Sequence, residues 1–469
     1  MKINNIFWTV ASALVFSGCS DYIDIKTQGS LVPEYTENYR YLLNYTNSWE
    51  LGSNLPDIAS DDVELVDGTQ QVKTLGSSDF YAYWPKTYTW QSEIYPTTGY
   101  YNSDGGWNAM FNTITYANIV ISEVPSSKGG TENEKQGLIA EALVHRADAY
   151  LMLVNMYAKP YKKETATSDL GLPLRLSVNV SQSLKRNSVQ EVYEQILSDL
   201  KAALPALPES QEYNTLPSKV SAYGELARTY LYMGDYEKAN MYADSALVYR
   251  STINDLSNIT AVSSTNYPTR LYNPEILLSK TPFGAISAYA PIALRLSTDL
   301  LNLLGTKDKR YTLFTTEAST ISAQYVDAGG RYFYGDRALN ESRNIGPSVP
   351  EMYLIKAEYY ARTGNPSKAM EWVNKLRVKR FSPDDYKELT SDNTDDALEK
   401  VIDERHREFF CRMLRWWDLR RLKDDARFQK TITRVLDGKT YTLTPTSNRY
   451  VFPIASYQIV LNPEMEQNP

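Results

Sequence analysis

Two distant segments of this chain carry the same spacing of tyrosine, alanine and glycine, and this repetition constrains the fold most strongly. The shared positions are Tyr223, Ala227, Tyr230, Gly234 and Ala239 in the first segment, and Tyr353, Ala357, Tyr360, Gly364 and Ala369 in the second. Repeats of this kind are typical of tetratricopeptide helix pairs, in which small alanines permit close approach and larger rings fill the groove. The glycines fall where the chain must reverse between two helices, because glycine tolerates positive φ angles.

Further helical segments extend this pattern. Residues 136–157 repeat the Ala147-x-x-Tyr150 element of the first helix, and residues 189–204 supply its partner after a polar insertion. A fourth unit is predicted to begin with a helix over residues 397–423. The sequence therefore predicts a mainly α-helical solenoid of about four tetratricopeptide-type helix pairs.

Two long irregular regions interrupt the predicted helices, at residues 67–107 and 251–349. We expect these insertions to carry short strands, and we expect binding residues to lie on them, because loops on a rigid scaffold are the usual place for such residues.

Composition excludes several classes of function. The net charge is -7, which leaves no basic surplus for binding nucleic acid. The two cysteines and two histidines cannot supply a zinc cluster or a disulfide framework, and they leave little for histidine-based catalysis. The 37 tyrosines and 8 tryptophans suit both half-buried cores and surfaces that stack on sugars.

The first residues have the form of a secretory signal peptide. Lys2 precedes an apolar run over residues 6–16, and Ser17-Gly18 leads directly to Cys19. This ending resembles a bacterial lipobox, which predicts a signal peptide at residues 1–18 and lipid attachment at Cys19. Acyl chains on that residue would anchor the protein in a membrane.

A longer motif makes the resemblance specific. The segment from Glu404-Arg405 through Glu408 to Arg415-Trp416-Trp417-Asp418-Leu419-Arg420-Arg421 is similar to the ERRxEL…RWxDLxR signature of the SusD/RagB family. Residues 107–118, 350–377 and 452–469 also resemble segments of that family, in the same order. The resemblance implies one SusD-like domain over residues 19–469, with an N-terminal part at about 20–215 and a C-terminal part at about 216–469. Departures occur at His406, at residues 409–413 and at Ala455.

The same resemblance implies a role. Members of this family are outer-membrane lipoproteins that face the cell exterior, capture an oligosaccharide or, in some branches, a peptide, and act beside a SusC-like TonB-dependent β-barrel transporter. We therefore expect a non-catalytic, nutrient-binding protein that needs no cofactor or metal and does not bind nucleic acid. The substrate, its linkage and the presence of a structural calcium ion are left open.

The candidate ligand-binding residues are aromatic and polar side chains of the two insertions. A sugar ring has an apolar C–H face and a rim of hydroxyl groups, so its site needs aromatic platforms and a few fixed polar groups. The predicted set is Tyr81, Tyr83, Trp84, Tyr100, Tyr101, Asp104, Arg331, Tyr332 and Tyr334.

Other conspicuous residues are interpreted as structural. The charges of the Glu404–Arg421 segment are predicted to form ion pairs around Trp416, and Asp61-Asp62 is predicted to cap a helix in preference to binding a metal. His145 and His406 are expected to be packing or surface residues, and Cys411 a small buried residue. The core is expected to take Tyr88, Trp90 and Trp107.

Three alternatives to glycan uptake remain at this point. A peptide could bind on the same scaffold, where the acidic balance would suit a basic peptide. A surface glycosidase would need two carboxylates poised across a cleft. A tetratricopeptide adaptor would leave the aromatic insertions unexplained.

Overall fold

The computed structural model describes residues 33–179, 181–283 and 292–469. The predicted signal peptide and Cys19 lie outside these ranges. The helices of the described part are α1 (Thr36–Asn44), α2 (Leu55–Ala59), α3 (Gln70–Gly76), α4 (Tyr83–Tyr88), α5 (Gly105–Glu123), α6 (Glu132–Tyr157), α7 (Val189–Ala203), α8 (Lys219–Met233), α9 (Tyr236–Tyr249), α10 (Thr298–Leu304), α11 (Lys309–Phe314), α12 (Ala318–Ile321), α13 (Gly335–Leu339), α14 (Val349–Arg362), α15 (Pro366–Arg377), α16 (Thr394–Phe409), α17 (Leu414–Leu422) and α18 (Ser456–Leu461). The strands form two antiparallel pairs, β1 (Thr315–Glu317) with β2 (Arg331–Phe333) and β3 (Ile432–Leu436) with β4 (Lys439–Leu443).

The long helices pack in chain order as a solenoid. Helix α6 packs on α7, α8 on α9, and α14 on α15, while α9 bridges to α14 across the long second insertion. The mainly helical fold with short strands is therefore confirmed. Within the described ranges, no helix is both long enough and apolar enough to cross a membrane.

The two repeats agree in the contacts of their rings as well as in sequence. Tyr223 of α8 stacks on Tyr242 of α9 at 6.3 Å between ring centroids, and in the second repeat Tyr353 of α14 meets Trp372 of α15 at 5.1 Å. Gly234 separates α8 from α9 at a φ of 76°, and Gly364 occupies the same place after α14 at 85°. Both predicted reversals are therefore glycine turns with left-handed backbone.

The predicted helix at 397–423 is wrong in one respect, because it is two helices. The chain breaks between α16 and α17, where Cys411 and Met413 have φ angles of 54° and 70°. Two buried carboxylates hold this break: Asp62 accepts the backbone N–H of Cys411 at 2.8 Å, and Asp57 accepts that of Met413 at 2.6 Å. These hydrogen bonds satisfy amide groups that a continuous helix would have used internally.

The charged signature residues form the structural network that the sequence predicts. Arg310 of α11 donates to Glu404 and Glu408 at 2.7 Å each, and Arg405 pairs with Asp418 at 3.0 Å. All of these side chains are buried. Trp416 lies nearby, stacked on both Tyr450 and Phe452 at 5.4 Å. The network joins the second insertion to the last helix pair, so the insertion is fixed to the solenoid.

Candidate functional site

Four aromatic rings cluster on the surface of the first insertion. Phe80 meets Tyr81 at 4.9 Å and Tyr101 at 5.2 Å, and Tyr100 meets Tyr101 at 5.0 Å, each ring edge-on to its neighbour. Phe80 is 50% exposed, Tyr100 is 90% exposed and Tyr101 is 40% exposed. We call Phe80, Tyr81, Tyr100 and Tyr101 the aromatic surface. Exposed ring faces beside short polar side chains give the chemistry that stacks on a sugar ring.

A hydrogen bond from the backbone to the side chain of Ser78 caps the short turn that carries Phe80 and Tyr81. The hydroxyl of Ser78 accepts the N–H of Phe80 at 3.3 Å and begins a single 3₁₀ turn over Asp79–Tyr81. Exposed polar residues, including Ser77 and Asp79, border this turn. The turn therefore presents its rings outward next to groups that can bond to hydroxyls.

Asp104 holds the other half of the surface in place, and does so from inside the protein. Its carboxylate caps α5 by accepting the N–H of Trp107 at 3.0 Å, and it accepts the hydroxyl of Tyr157 of α6. Burial raises the pKa of Asp104, although the hydrogen bonds from Tyr157 and Trp107 oppose this shift. Asp104 is only 1% exposed, so its predicted contact with a ligand is corrected to a positioning role.

Two other predicted residues of the first insertion lie under the surface. Trp84 is 1% exposed and stacks on Tyr88 in the core, because α4 begins one residue earlier and turns that position inward. Tyr83 is partly buried, stacks on Tyr95 at 6.0 Å and accepts a hydrogen bond from Asn54 at 3.1 Å. Trp84 is therefore excluded from direct contact, and Tyr83 supports the layer above it.

The second insertion contributes less than its sequence suggests. Tyr332 is fully buried and donates to Gln71 of α3 at 3.1 Å, which places β2 behind the helix that leads to the aromatic surface. Arg331 donates to the hydroxyl of Thr315 at 2.6 Å and pairs with Glu317. Tyr334 is half-buried against a small core that Tyr332 forms with Ile321 and Tyr325. The predicted role of Tyr332 in ligand contact is corrected to structural support, and Arg331 and Tyr334 do not join the aromatic surface.

Sequence reasoning missed two exposed rings. Phe80 lies beside Tyr81 in a polar stretch, and that adjacency could have identified it. Phe283 packs directly against the backbone of Gly105, the first residue of α5, where an added Cβ would come within 2.3 Å of the ring. Phe283 is 42% exposed. Its partner Gly105 comes four residues after Tyr101 in the chain. No local signal marks Phe283, because its position depends on long-range packing.

A buried cluster of Asp61, Asp62 and His406 has ligand atoms within 4.8 Å of one another. Burial would raise the pKa of Asp61, but Arg415, which pairs with it at 2.6 Å, and Lys430 hold that pKa well below its usual range. Asp62 accepts from His406 at 2.8 Å. Arg415 and Lys430 thus occupy the carboxylate of Asp61, while His406 and the backbone N–H of Cys411 occupy that of Asp62, which does not fit a metal site. The predicted helix-capping role is also wrong, since both side chains bond to groups distant in sequence.

Among the described residues, every carboxyl group whose pKa is raised is buried. They are Asp57, Asp104, Glu225 and Asp336, and burial is the main cause in each case. A glycosidase needs an accessible carboxylic acid with a raised pKa and a second carboxylate across a cleft. None of these four groups is exposed enough to serve as that acid.

Comparison with known families agrees with this architecture. Residues 53–231 match the family described as "Starch-binding associating with outer membrane", and residues 349–469 match the family described as "SusD family". Together these matches cover the first insertion, most of α8, the second repeat and the charged signature. The chain belongs to the SusD/RagB family.

Individual relatives are distant but extend over most of the chain. SusD-like protein P38 of Formosa agariphila is 23% identical, over 77% of this chain and 78% of the relative, and SusD-like protein P2 of the same organism is 25% identical, over 68% and 72%. Among solved structures, a SusD superfamily protein of Bacteroides thetaiotaomicron covers 93% of this chain and 100% of its own, with a TM-score of 0.71 at 22% identity. A SusD-like carbohydrate binding protein of Bacteroides vulgatus covers 92% of this chain and 97% of its own, with a TM-score of 0.67 at 19% identity.

Proposed function

We propose that this protein binds a nutrient oligosaccharide at the aromatic surface and delivers it to a partner TonB-dependent outer-membrane transporter. The contiguous ring cluster carries the proposal: Phe80, Tyr100 and Tyr101 are exposed, and the partly buried Tyr81 packs against Phe80. Leaving aromatic rings in contact with water is unfavourable, so a contiguous group of exposed rings is typical of a binding surface.

The surface is held in place before any ligand arrives. Asp104 and Ser78 fix its two halves by hydrogen bonds, and Trp107 packs edge-on against Tyr157 at 4.8 Å beneath it. A preorganised platform loses little conformational entropy when a sugar stacks on it. This supports binding without a large rearrangement of the loops.

The proposal includes no covalent chemistry. The exposed groups next to the ring of Phe80 include the hydroxyl of Ser77 and the carboxylate of Asp79, whereas Asp104 and Asp336, whose pKa is raised, are buried. Binding therefore uses stacking and hydrogen bonds alone. Family membership and the description "associating with outer membrane" support the location, and the Cys19 lipobox supports a lipid anchor. The exterior orientation is proposed from the family resemblance.

The test is titration of the purified protein with a panel of neutral oligosaccharides and a panel of peptides. Replacing Tyr100 and Tyr101 together by alanine is expected to weaken binding of the preferred glycan by roughly tenfold or more, the loss typical of central aromatic contacts. Tyr41→Ala is the matched control, because Tyr41 is 60% exposed on α1 and lies outside the aromatic surface.

The two panels separate the competing functions. Glycan binding that survives the double substitution would contradict the assignment of the site. Binding of peptides, with no affinity for any glycan, would replace the oligosaccharide by a peptide nutrient. Turnover of a glycan that is lost on a single Asp or Glu substitution would contradict the non-catalytic role.

A further inference from the structure

A cleft lies near the end of the solenoid, separate from the aromatic surface. It forms where the loop after α6, the C-terminal end of α17 and residues 446–451 meet, and its volume is about 480 Å³. That volume falls within the range of roughly 300–1,000 Å³ common for small-molecule sites. No residue of the aromatic surface lines it.

Three lysines line this cleft, and among the residues that the structure describes two carboxylates pair with them. Lys159 pairs with Asp169 at 2.6 Å, while Lys162 and Lys423 share Asp424, at 2.7 Å and 2.9 Å. Partial burial would raise the pKa of Asp424, but hydrogen bonds from both lysines lower it, so its single negative charge faces two ammonium groups. Within the described ranges, one positive charge of these three lysines therefore has no carboxylate of its own, in a protein whose net charge is -7.

The rest of the lining suits a sugar better than a bare inorganic ion. Thr165 and Ser168 border one wall, and the side-chain amide of Asn448 forms no hydrogen bond with any residue in the described ranges. Tyr450 and Val451 form an apolar floor. A ring with an apolar face, several hydroxyls and one negative charge would complement all three features.

We propose that this cleft is a second carbohydrate-binding site that takes a uronic acid unit, whose carboxylate pairs with Lys162 and Lys423. Charge-assisted hydrogen bonds to two ammonium groups would fix the carboxylate, and the hydroxyl and amide groups would bond to the ring. The site is independent of the aromatic surface, since the two share no residue. The protein would then hold an acidic glycan at two points, one by stacking and one by charge.

The experiment is calorimetric titration of the purified protein with trigalacturonate, trimannuronate and triguluronate. The methyl ester of each trisaccharide serves as its neutral counterpart. To isolate the cleft, the titrations are made with the Tyr100→Ala/Tyr101→Ala protein as well as with the unaltered chain. We expect at least one free acid to bind in both proteins, and its ester to bind at least about tenfold more weakly.

Substitutions then assign the binding to the lysines. Lys162→Gln/Lys423→Gln is expected to weaken binding of the free acid by roughly tenfold or more, whereas Lys423→Arg, which keeps the charge, is expected to retain it. Lys375→Gln is the control, because Lys375 is a half-exposed lysine of α15 outside the cleft. Unchanged thermal melting would show that the variants remain folded.

Three results would overturn the second site. They are no binding of any free acid, equal binding of acid and ester, or binding that the lysine substitutions leave intact. Each differs from failure of the aromatic site, which the tyrosine substitutions report through neutral glycans.

Discussion

The carboxylate of Asp104 accepts a hydrogen bond from the hydroxyl of Tyr157 directly beneath the loop that presents Tyr100 and Tyr101. Asp104 is thus the N-cap of α5, the last residue of the loop that carries Tyr100 and Tyr101, and a hydrogen-bond partner of α6. This buried carboxylate therefore ties the loop to the scaffold.

Asp104→Ala is expected to lower the free energy of unfolding by about 2–4 kcal/mol, because it removes a helix cap and leaves a buried tyrosine hydroxyl without its partner. Tyr157→Phe keeps the cap and is expected to cost less. Urea denaturation of the two variants measures the difference. Equal losses would contradict the capping role of Asp104.

Substitutions at neighbouring aromatic residues should separate the core from the surface. Trp84→Ala is expected to lower the free energy of unfolding by about 3–5 kcal/mol, since it empties a buried site. Tyr100 is 90% exposed, so Tyr100→Ala is expected to change the free energy of unfolding by less than about 0.5 kcal/mol. Thermal and urea unfolding test both; a large loss for Tyr100→Ala would mean that its ring supports the fold.

The buried ion pairs predict a loss of stability in acid. Burial would raise the pKa of Glu404, but Arg310, Arg377 and Arg407 lower it from 4.5 to about 2. Because the folded-state pKa is below the unfolded value, this contribution is present above pH 4.5 and is lost as the pH falls toward 2. At about 1.36 kcal/mol for each pKa unit, Glu404 contributes roughly 3 kcal/mol.

Urea denaturation between pH 7 and the acid range measures this contribution. Glu404→Gln is expected to be less stable at neutral pH, with a shallower decline in acid, because the titrating group is absent. An unchanged slope would show that other carboxylates account for the acid sensitivity.

Two glycine substitutions should have opposite effects. Gly234→Ala is expected to destabilise the protein by about 1 kcal/mol, because position 234 has a φ of 76° at the turn between α8 and α9. Gly137→Ala is expected to stabilise it by up to about 1 kcal/mol, since Gly137 lies inside α6 with room for a Cβ. Differential scanning calorimetry gives the sign of each change. The same sign for both would contradict the assignment of the turn.

Local spacing in the sequence predicts the helix pairs, because tyrosine, alanine and glycine positions such as Tyr223, Ala227 and Gly234 report packing between consecutive helices. The charged signature likewise predicts its network, since alternating acids and bases on a helix seldom stay unpaired when buried. The break at Cys411 and Met413 is not visible in this way. It depends on Asp57 and Asp62, which are distant in sequence.

The candidate site is only partly predictable for a related reason. Composition identifies an aromatic insertion but does not say which face of it meets solvent. Trp84 points into the core because α4 begins at Tyr83, and Asp104 is buried because it caps α5. Tyr81, Tyr100 and Tyr101 stay at the surface with Phe80, which adjacency to Tyr81 could have identified, but the contact between Phe80 and Tyr101 is formed only in the folded loop.

The most direct test of the account is gentle extraction of the native protein from outer membranes, followed by identification of what co-purifies. We expect a lipidated N-terminal cysteine and a β-barrel transporter in stable complex with the protein. Recovery of the protein alone, or from another compartment, would contradict its role as the binding component of an uptake system.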